Sequence, residues 1–325
     1  MTENAARPIA AVSLDADNQW SYMKTHGDAG WESFPSYLDV LMPYTCDLFD
    51  ELGIRITYFI VGQDAALPVN REALALVTAR GHEVGNHSFK HEPWLHRYSR
   101  AEIRDELARA EQAIGEACGV RPLGFRGPGF SLSTDVLETL ADRGYTYDGS
   151  TLPTWIGPLA RAYYFRQAKL TAEQREERSM LFGRFSEGLQ PNGPYRWRLP
   201  SGRTLLELPV STIPALKTPF HLSYLIYLAR FSDALLDAYL TVAIEACRRL
   251  DTPPSFLLHP LDVLGGDQVP SLRFFPGMDL DAARKREIFL HVLGRLGEAF
   301  ELLPMNEYAR RLNARTDLPV RRTAG

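Results

Sequence analysis

Four sets of residues have the types and spacing to do chemistry. They are Asp15 and Asp17, one residue apart; His87 and His91 within NHSFKHEPW; Arg126; and His259. Histidines four apart on a helix share one face, so both imidazoles can reach one ion. An aspartate with two histidines is a mixed oxygen and nitrogen ligand set suited to zinc or another first-row metal. No cysteine is placed to close the site as a fourth ligand. An open site lowers the pKa of water and polarises a carbonyl. A second carboxylate can take the water's proton, and His259 can protonate a leaving amine. Arg126 can fix the base carboxylate and keep it ionised. Together these groups are equipped to hydrolyse an amide.

Each set falls at the end of a strand-like segment. IAAVSLD (9–15) is a short apolar run ending in an acid and reads as a buried first strand. IRITYFIV (54–61), HEVGNH (82–87), LGFRGP (123–128), YTYDGS (145–150) and SFLLHP (255–260) read as further strands or strand ends. Helical patterns separate them at 36–52, 70–81, 99–119 (capped by Ser99), 133–144, and near 232–250 and 281–298. This alternation predicts a mostly parallel α/β sheet or barrel wrapped by helices. In such barrels, groups at the C-terminal strand ends converge on one site. The rhythm breaks at about 155–230, around the turn-rich GLQPNGPYRWRLPSGR (188–203). The reading is a single α/β domain over 1–325, with 155–230 an insertion or lid.

Composition narrows the class. At 325 residues and 45% hydrophobic the chain can bury a large core, and its net charge of −4 argues against nucleic acid or an anionic membrane surface. The three scattered cysteines read as buried thiols in a reducing compartment. The N-terminal run lacks signal-peptide character, and no stretch reaches the roughly 18 apolar residues of a transmembrane span. A soluble, cytoplasmic protein is the expectation.

With these residues in view, the chain resembles the polysaccharide deacetylases of the NodB-homology type, carbohydrate esterase family 4. The family's H-[ST]-x-x-H motif is matched by His87-Ser88-Phe89-Lys90-His91. Its Arg-x-Pro strand end resembles Arg126-Gly127-Pro128, and its Leu-x-His resembles Leu257-Leu258-His259. The first motif departs from T-F-D-D-G-P, reading Ser13-Leu14-Asp15-Ala16-Asp17-Asn18, as in cytoplasmic relatives with D-x-D. The likeness covers about residues 9–150 and 230–305. It implies a distorted (β/α) barrel, one divalent metal (zinc first, then cobalt, nickel or manganese) and deacetylation of an N-acetylated sugar or conjugate. It implies Asp17, His87 and His91 as ligands, Asp15 as base and His259 as acid, with exchange of the two aspartate roles left open. Asp148 in YDGST is the first candidate for the acid that orients His259, with Asp262 as competitor.

Other segments carry weaker expectations. Trp20 and Trp31 in the first loop, and Pro128 and Phe130 about the third motif, are candidates to wall the pocket. His26 is expected to be exposed, His82 and His96 structural, and His221 and His291 without chemistry. Basic residues across 161–203 could form a lid for a phosphate-linked or lipid-linked sugar, and the apolar 219–231 could touch a membrane or form a homo-oligomer contact. Two further readings keep part of the pattern: a cyclic-amide hydrolase resembling allantoinase, and a non-catalytic carbohydrate-binding barrel.

Overall fold

The sheet is organised on β1 (Ile9–Asp15), which pairs in parallel with β2 (Thr57–Ile60), β8 (Ser255–Leu258) and β9 (Glu301–Leu303). The computed structural model describes residues 7–157 and 185–323. The other strands are β3 (Glu83–Asn86), β4 (Gly124–Phe125), β5 (Tyr147–Asp148), β6 (Tyr195–Arg198), β7 (Thr204–Glu207) and β10 (Val320–Arg322). Their order is β10-β6-β7-β5-β4-β3-β2-β1-β8, and among the described strand pairs only the β6–β7 hairpin is antiparallel. Beyond β7 the chain continues along β5, with Leu208 N–H donating to Asp148 O at 2.8 Å, and then reaches β8, with Ser211 N–H donating to Ser255 O at 3.0 Å. That last bond closes the sheet into a distorted barrel.

Ten helices accompany it: α1 (Gln19–His26), α2 (Leu38–Glu51), α3 (Gly62–Ala66), α4 (Arg71–Ala79), α5 (Arg100–Cys118), α6 (Thr134–Asp142), α7 (Leu222–Ala229), α8 (Asp233–Arg249), α9 (Ala282–Ala299) and α10 (Met305–Asn313), counted among the described residues. Alternate residues of β1 face opposite ways, as the period of a strand requires. Ala10, Val12 and Leu14 join the core shared with Leu41 of α2 and Phe289 of α9. Ala11 packs with Phe59, Tyr147, Leu206 and Met305 inside the barrel. Both faces are covered, which is why β1 reads as a nearly continuous apolar run broken only by Ser13 before Asp15. Ser99 caps α5 reciprocally with Glu102, as its position before the periodic segment predicts.

Two expectations change here. Residues 195–207, assigned to the 155–230 interruption, form β6 and β7 of the main sheet, and 222–229 form α7. Alternation in β6 (Tyr195 and Trp197 buried, Arg198 exposed) marks a strand despite the flanking turns. The histidine pair is not helical. After β3 the chain forms a loop in which Ser88 and His91 adopt left-handed φ values of 60° and 55°. Asn86 Oδ1 accepts the Ser88 amide at 2.8 Å, and Glu106 Oε1 accepts those of Phe89 and Lys90 at 3.0 and 2.5 Å. These side-chain bonds replace a helical ladder. No helix among the described residues is long and apolar enough to cross a membrane.

Candidate active site

Register sets the site. Asp15 ends β1 opposite Phe59 of β2, Asn86 of β3 pairs with Phe125 of β4, and Leu14 of β1 pairs with Leu258 of β8. His87, Arg126 and His259 each follow directly on one of these strand ends. Groups up to 244 positions apart in sequence (259 − 15) therefore meet at one rim of the barrel.

Asp17, His87 and His91 present one oxygen and two nitrogens that all lie within 4.8 Å of one another. Asp17 Oδ1 is 2.8 Å from His91 Nε2 and 3.4 Å from His87 Nε2, yet it is buried and makes no well-formed hydrogen bond. Three donors aimed at one point, with an orphaned oxygen among them, fit a metal ion. His87 Nδ1 lies 2.6 Å from the backbone carbonyl of Arg126, which fixes the ring and turns Nε2 to the site. Burial opposes ionisation of Asp17, but His91 and His87 outweigh it and hold the carboxyl far below its ordinary range. Asp17 is carried on a braced loop. Asp64 Oδ1 accepts from Asn18 Nδ2 at 2.7 Å and Trp20 Nε1 at 2.9 Å, and Tyr37 donates to Asp17 O at 2.6 Å.

Arg126, fully buried, donates through Nη1 to Asp15 Oδ1 at 2.7 Å and Ser13 Oγ at 2.8 Å, and through Nε to Gly149 O at 3.0 Å. Its guanidinium also sits over Phe59, 4.4 Å from the ring centroid. Across the cavity, His259 Nδ1 lies 3.2 Å from Ser223 Oγ, and that hydroxyl donates to Asp262 Oδ2 at 3.0 Å. The direct Nδ1–Oδ2 separation of 3.8 Å is too long for a hydrogen bond, so the serine links the two. Burial alone would lower the His259 imidazole, but Asp262, Asp15 and Asp17 outweigh it and raise the pKa to about 9.

This raised value has a measurable consequence. A histidine lifted above its ordinary 6.5 stabilises the fold below that pH and loses the contribution as pH rises through about 9. Asp262→Asn is expected to move the His259 titration midpoint down by about one unit or more, followed by NMR of the ring protons. An unmoved midpoint would dismiss Asp262 as the controlling charge.

Several sequence expectations are corrected by these positions. Asp148 does not orient His259: it is fully buried, binds Ser150 Oγ at 2.6 Å and interacts with the buried Glu207. Asp262 takes that place because the short helical turn after His259 folds it back onto the His259 amide, at 2.7 Å. Trp20 does not wall the pocket; it is 1% exposed and spent on Asp64. Trp31 packs under the Lys24 ammonium, 4.8 Å from the ring centroid, and Pro128 is buried; neither lines the cavity, whereas Phe130 does. His26 is buried, stacked on Phe274 and bonded to Asp28, because α1 turns it inward. Arg196 and Arg203 of the basic stretch engage Asn313 and Asp142 instead of the cavity. Arg161, Arg166, Lys169, Arg175, Arg178 and Arg184 lie outside the described residues.

The sequence pattern gave no notice of Tyr22, Ser223 or Asp64, and it dismissed His221. Tyr22 lines the cavity with a buried, unpartnered hydroxyl, and burial, with Asp17 and other neighbours adding to it, holds the phenol well above its usual range. His221 lines it too, and burial beside His259 lowers its pKa to about 4. The cavity onto which Asp15, Asp17, His87, His91 and His259 open has a volume of about 470 Å³.

Comparison with known proteins agrees with this geometry. Residues 28–147 match the polysaccharide deacetylase family. A chitooligosaccharide deacetylase from Bradyrhizobium sp. (strain ANU 289) is 35% identical over 103 residues, 31% of this chain and 46% of that protein. The chain spans about half the length of curated relatives it matches. Among solved structures, a candidate polysaccharide deacetylase from Mycobacterium smegmatis aligns with a TM-score of 0.59 at 20% identity, over 99% of this chain and 98% of that one. Puue allantoinase aligns with a TM-score of 0.56 at 16% identity, over 97% and 93%. At these identities the two structures speak for the fold. The matched stretch, residues 28–147, is thus similar to the polysaccharide deacetylases and contains His87, His91 and Arg126.

Proposed function

We propose that the chain is a metal-dependent hydrolase of a non-peptide amide, and that its reaction is N-deacetylation of an amino sugar or sugar conjugate. One observation carries the reading: three side chains able to hold a metal ion, an arginine-held carboxylate and a carboxylate-backed histidine open onto the same cavity. The chitooligosaccharide deacetylase among its relatives supports a sugar as substrate.

Asp17, His87 and His91 would hold a divalent ion, zinc first by ligand type. When bound, the ion supplies Lewis acidity towards the amide carbonyl and lowers the pKa of the attacking water. Asp15 takes the water's proton: Arg126 occupies Oδ1 and leaves the other oxygen to accept it. The water oxygen bonds to the carbonyl carbon, and the C–N bond breaks as His259 delivers a proton to the departing nitrogen. Ser223 and Asp262 hold Nδ1, so the proton leaves from Nε2.

The metal-loaded chain is expected to release acetate from an N-acetylated sugar conjugate, to stop after chelation and to recover on adding zinc. Acetate is quantified directly, which separates deacetylation from ring opening of a cyclic amide, a reaction that frees none. Failure to release acetate in every metal form would overturn the reading.

A further inference from the structure

The cavity lining is of two kinds. Carboxylates and imidazoles make up one. Much of the remaining wall is Tyr22, Leu152, Ile156, Tyr224, Ile226 and Phe275. Among the described residues, no Asn, Gln, Glu, Lys or Arg lines it; beyond the reacting groups its polar side chains are Ser21, Thr25, Thr154, His221, Ser223 and the tyrosine hydroxyls. A saccharide needs a partner for each buried hydroxyl, because those left unpaired weaken binding, and the aliphatic stretch offers none. A phosphate needs cations. Aromatic rings can stack on a sugar, but Leu152, Ile156 and Ile226 offer only desolvation and dispersion.

The apolar wall is also braced. Tyr22 meets Phe275 edge-on with centroids 4.9 Å apart, and Tyr224 packs against Tyr239 at 5.4 Å. Tyr239 is itself pinned by donating its hydroxyl to Pro219 O at 2.7 Å. A preformed apolar wall beside the reacting groups selects by shape before chemistry begins. A volume of about 470 Å³ is of the size that holds one small ligand.

We propose that this wall is a specificity subsite for an uncharged aliphatic or aromatic group attached next to the hydrolysed amide. The substrate class is then an N-acylated amino sugar bearing an apolar substituent, not a free oligosaccharide or a phosphate-bearing sugar. The inference rests on the amide-hydrolase reading for the chemistry, but the subsite itself is a binding claim that can be tested separately.

The test compares methyl, hexyl and phenyl glycosides of N-acetylglucosamine, its 1-phosphate and chitotriose, on the zinc-loaded full chain. Acetate release gives kcat/KM, and calorimetry gives binding independently. Burying two methylenes is worth about tenfold, so hexyl and phenyl glycosides are expected to exceed the methyl glycoside by at least about tenfold. Ile226→Asn, and separately Leu152→Gln from the segment after β5, should bring the hexyl-to-methyl ratio towards one. Two variants from different elements guard against one misfolding. Release with equal kcat/KM for hexyl and methyl, or a preference for the phosphate or the trisaccharide, overturns the proposal. No release, but preferential hexyl binding that both variants abolish, keeps the subsite and sinks the deacetylase reading. No release and no binding preference overturns both.

Discussion

His87→Ala and His91→Ala are each expected to lose the divalent ion and the hydrolytic activity together. Each removes one of the three donors that the described residues bring together as a candidate metal site. Substitutions of groups that merely orient ligands cost about 10–100-fold in metal affinity, so losing a ligand should cost about 100-fold or more. His87 is the more exposing test. Its Nδ1 contact to the Arg126 carbonyl at 2.6 Å ties the metal site to the strand end that also holds Asp15. Metal content is measured by plasma mass spectrometry after dialysis, alongside kcat/KM and a urea unfolding curve. Normal metal content in a folded His87→Ala chain would dispose of the ligand assignment. Activity lost with metal retained would move His87 from ligand to substrate contact.

The parts of this site that were legible in the sequence are those governed by strand ends. Ile9–Asp15 is a strand in the sequence and in the structure because both of its faces are buried, and buried faces leave a nearly continuous apolar run. The positions of His87, Arg126 and His259 followed from the same logic, since each comes directly after its strand. What failed was local spacing taken as geometry. A spacing of four positions between the histidines suggested a helix, but Asn86 and Glu106 capture the amides of the loop and bring the rings together by another path. Asp148 looked suited to orient His259, yet its strand order places it inside the barrel with Glu207. Asp262, only three residues from His259, does the orienting through a short turn and Ser223. Trp20 lies beside the first motif in sequence, but its indole is committed to Asp64, a partner 44 positions away that periodicity could not indicate. Tertiary hydrogen bonds of this kind leave no trace in spacing.

Asp15→Asn separates the work of the base from the work of the ion pair. Asparagine keeps an oxygen for Arg126 Nη1 but cannot take a proton from water. General-base assistance is worth about 10²–10⁴-fold, so kcat/KM is expected to fall by that factor with metal content unchanged. Some stability should also be lost, because Arg126 is wholly buried, already has one unpartnered nitrogen, and would give up a charged partner. A charge-assisted hydrogen bond of this type is worth about 1.5–3 kcal/mol. Asp15→Ala goes further by removing the acceptor as well, and breaking a buried pair in that way costs about 3–5 kcal/mol. The comparison therefore has a built-in control: both variants should be inactive, but only the alanine should be strongly destabilised in urea. An active Asp15→Asn chain would remove Asp15 from the proton transfer. A variant that lost its metal instead would exchange the roles of Asp15 and Asp17, the one ambiguity that the D-x-D spacing leaves and that the orphaned oxygen on Asp17 argues against.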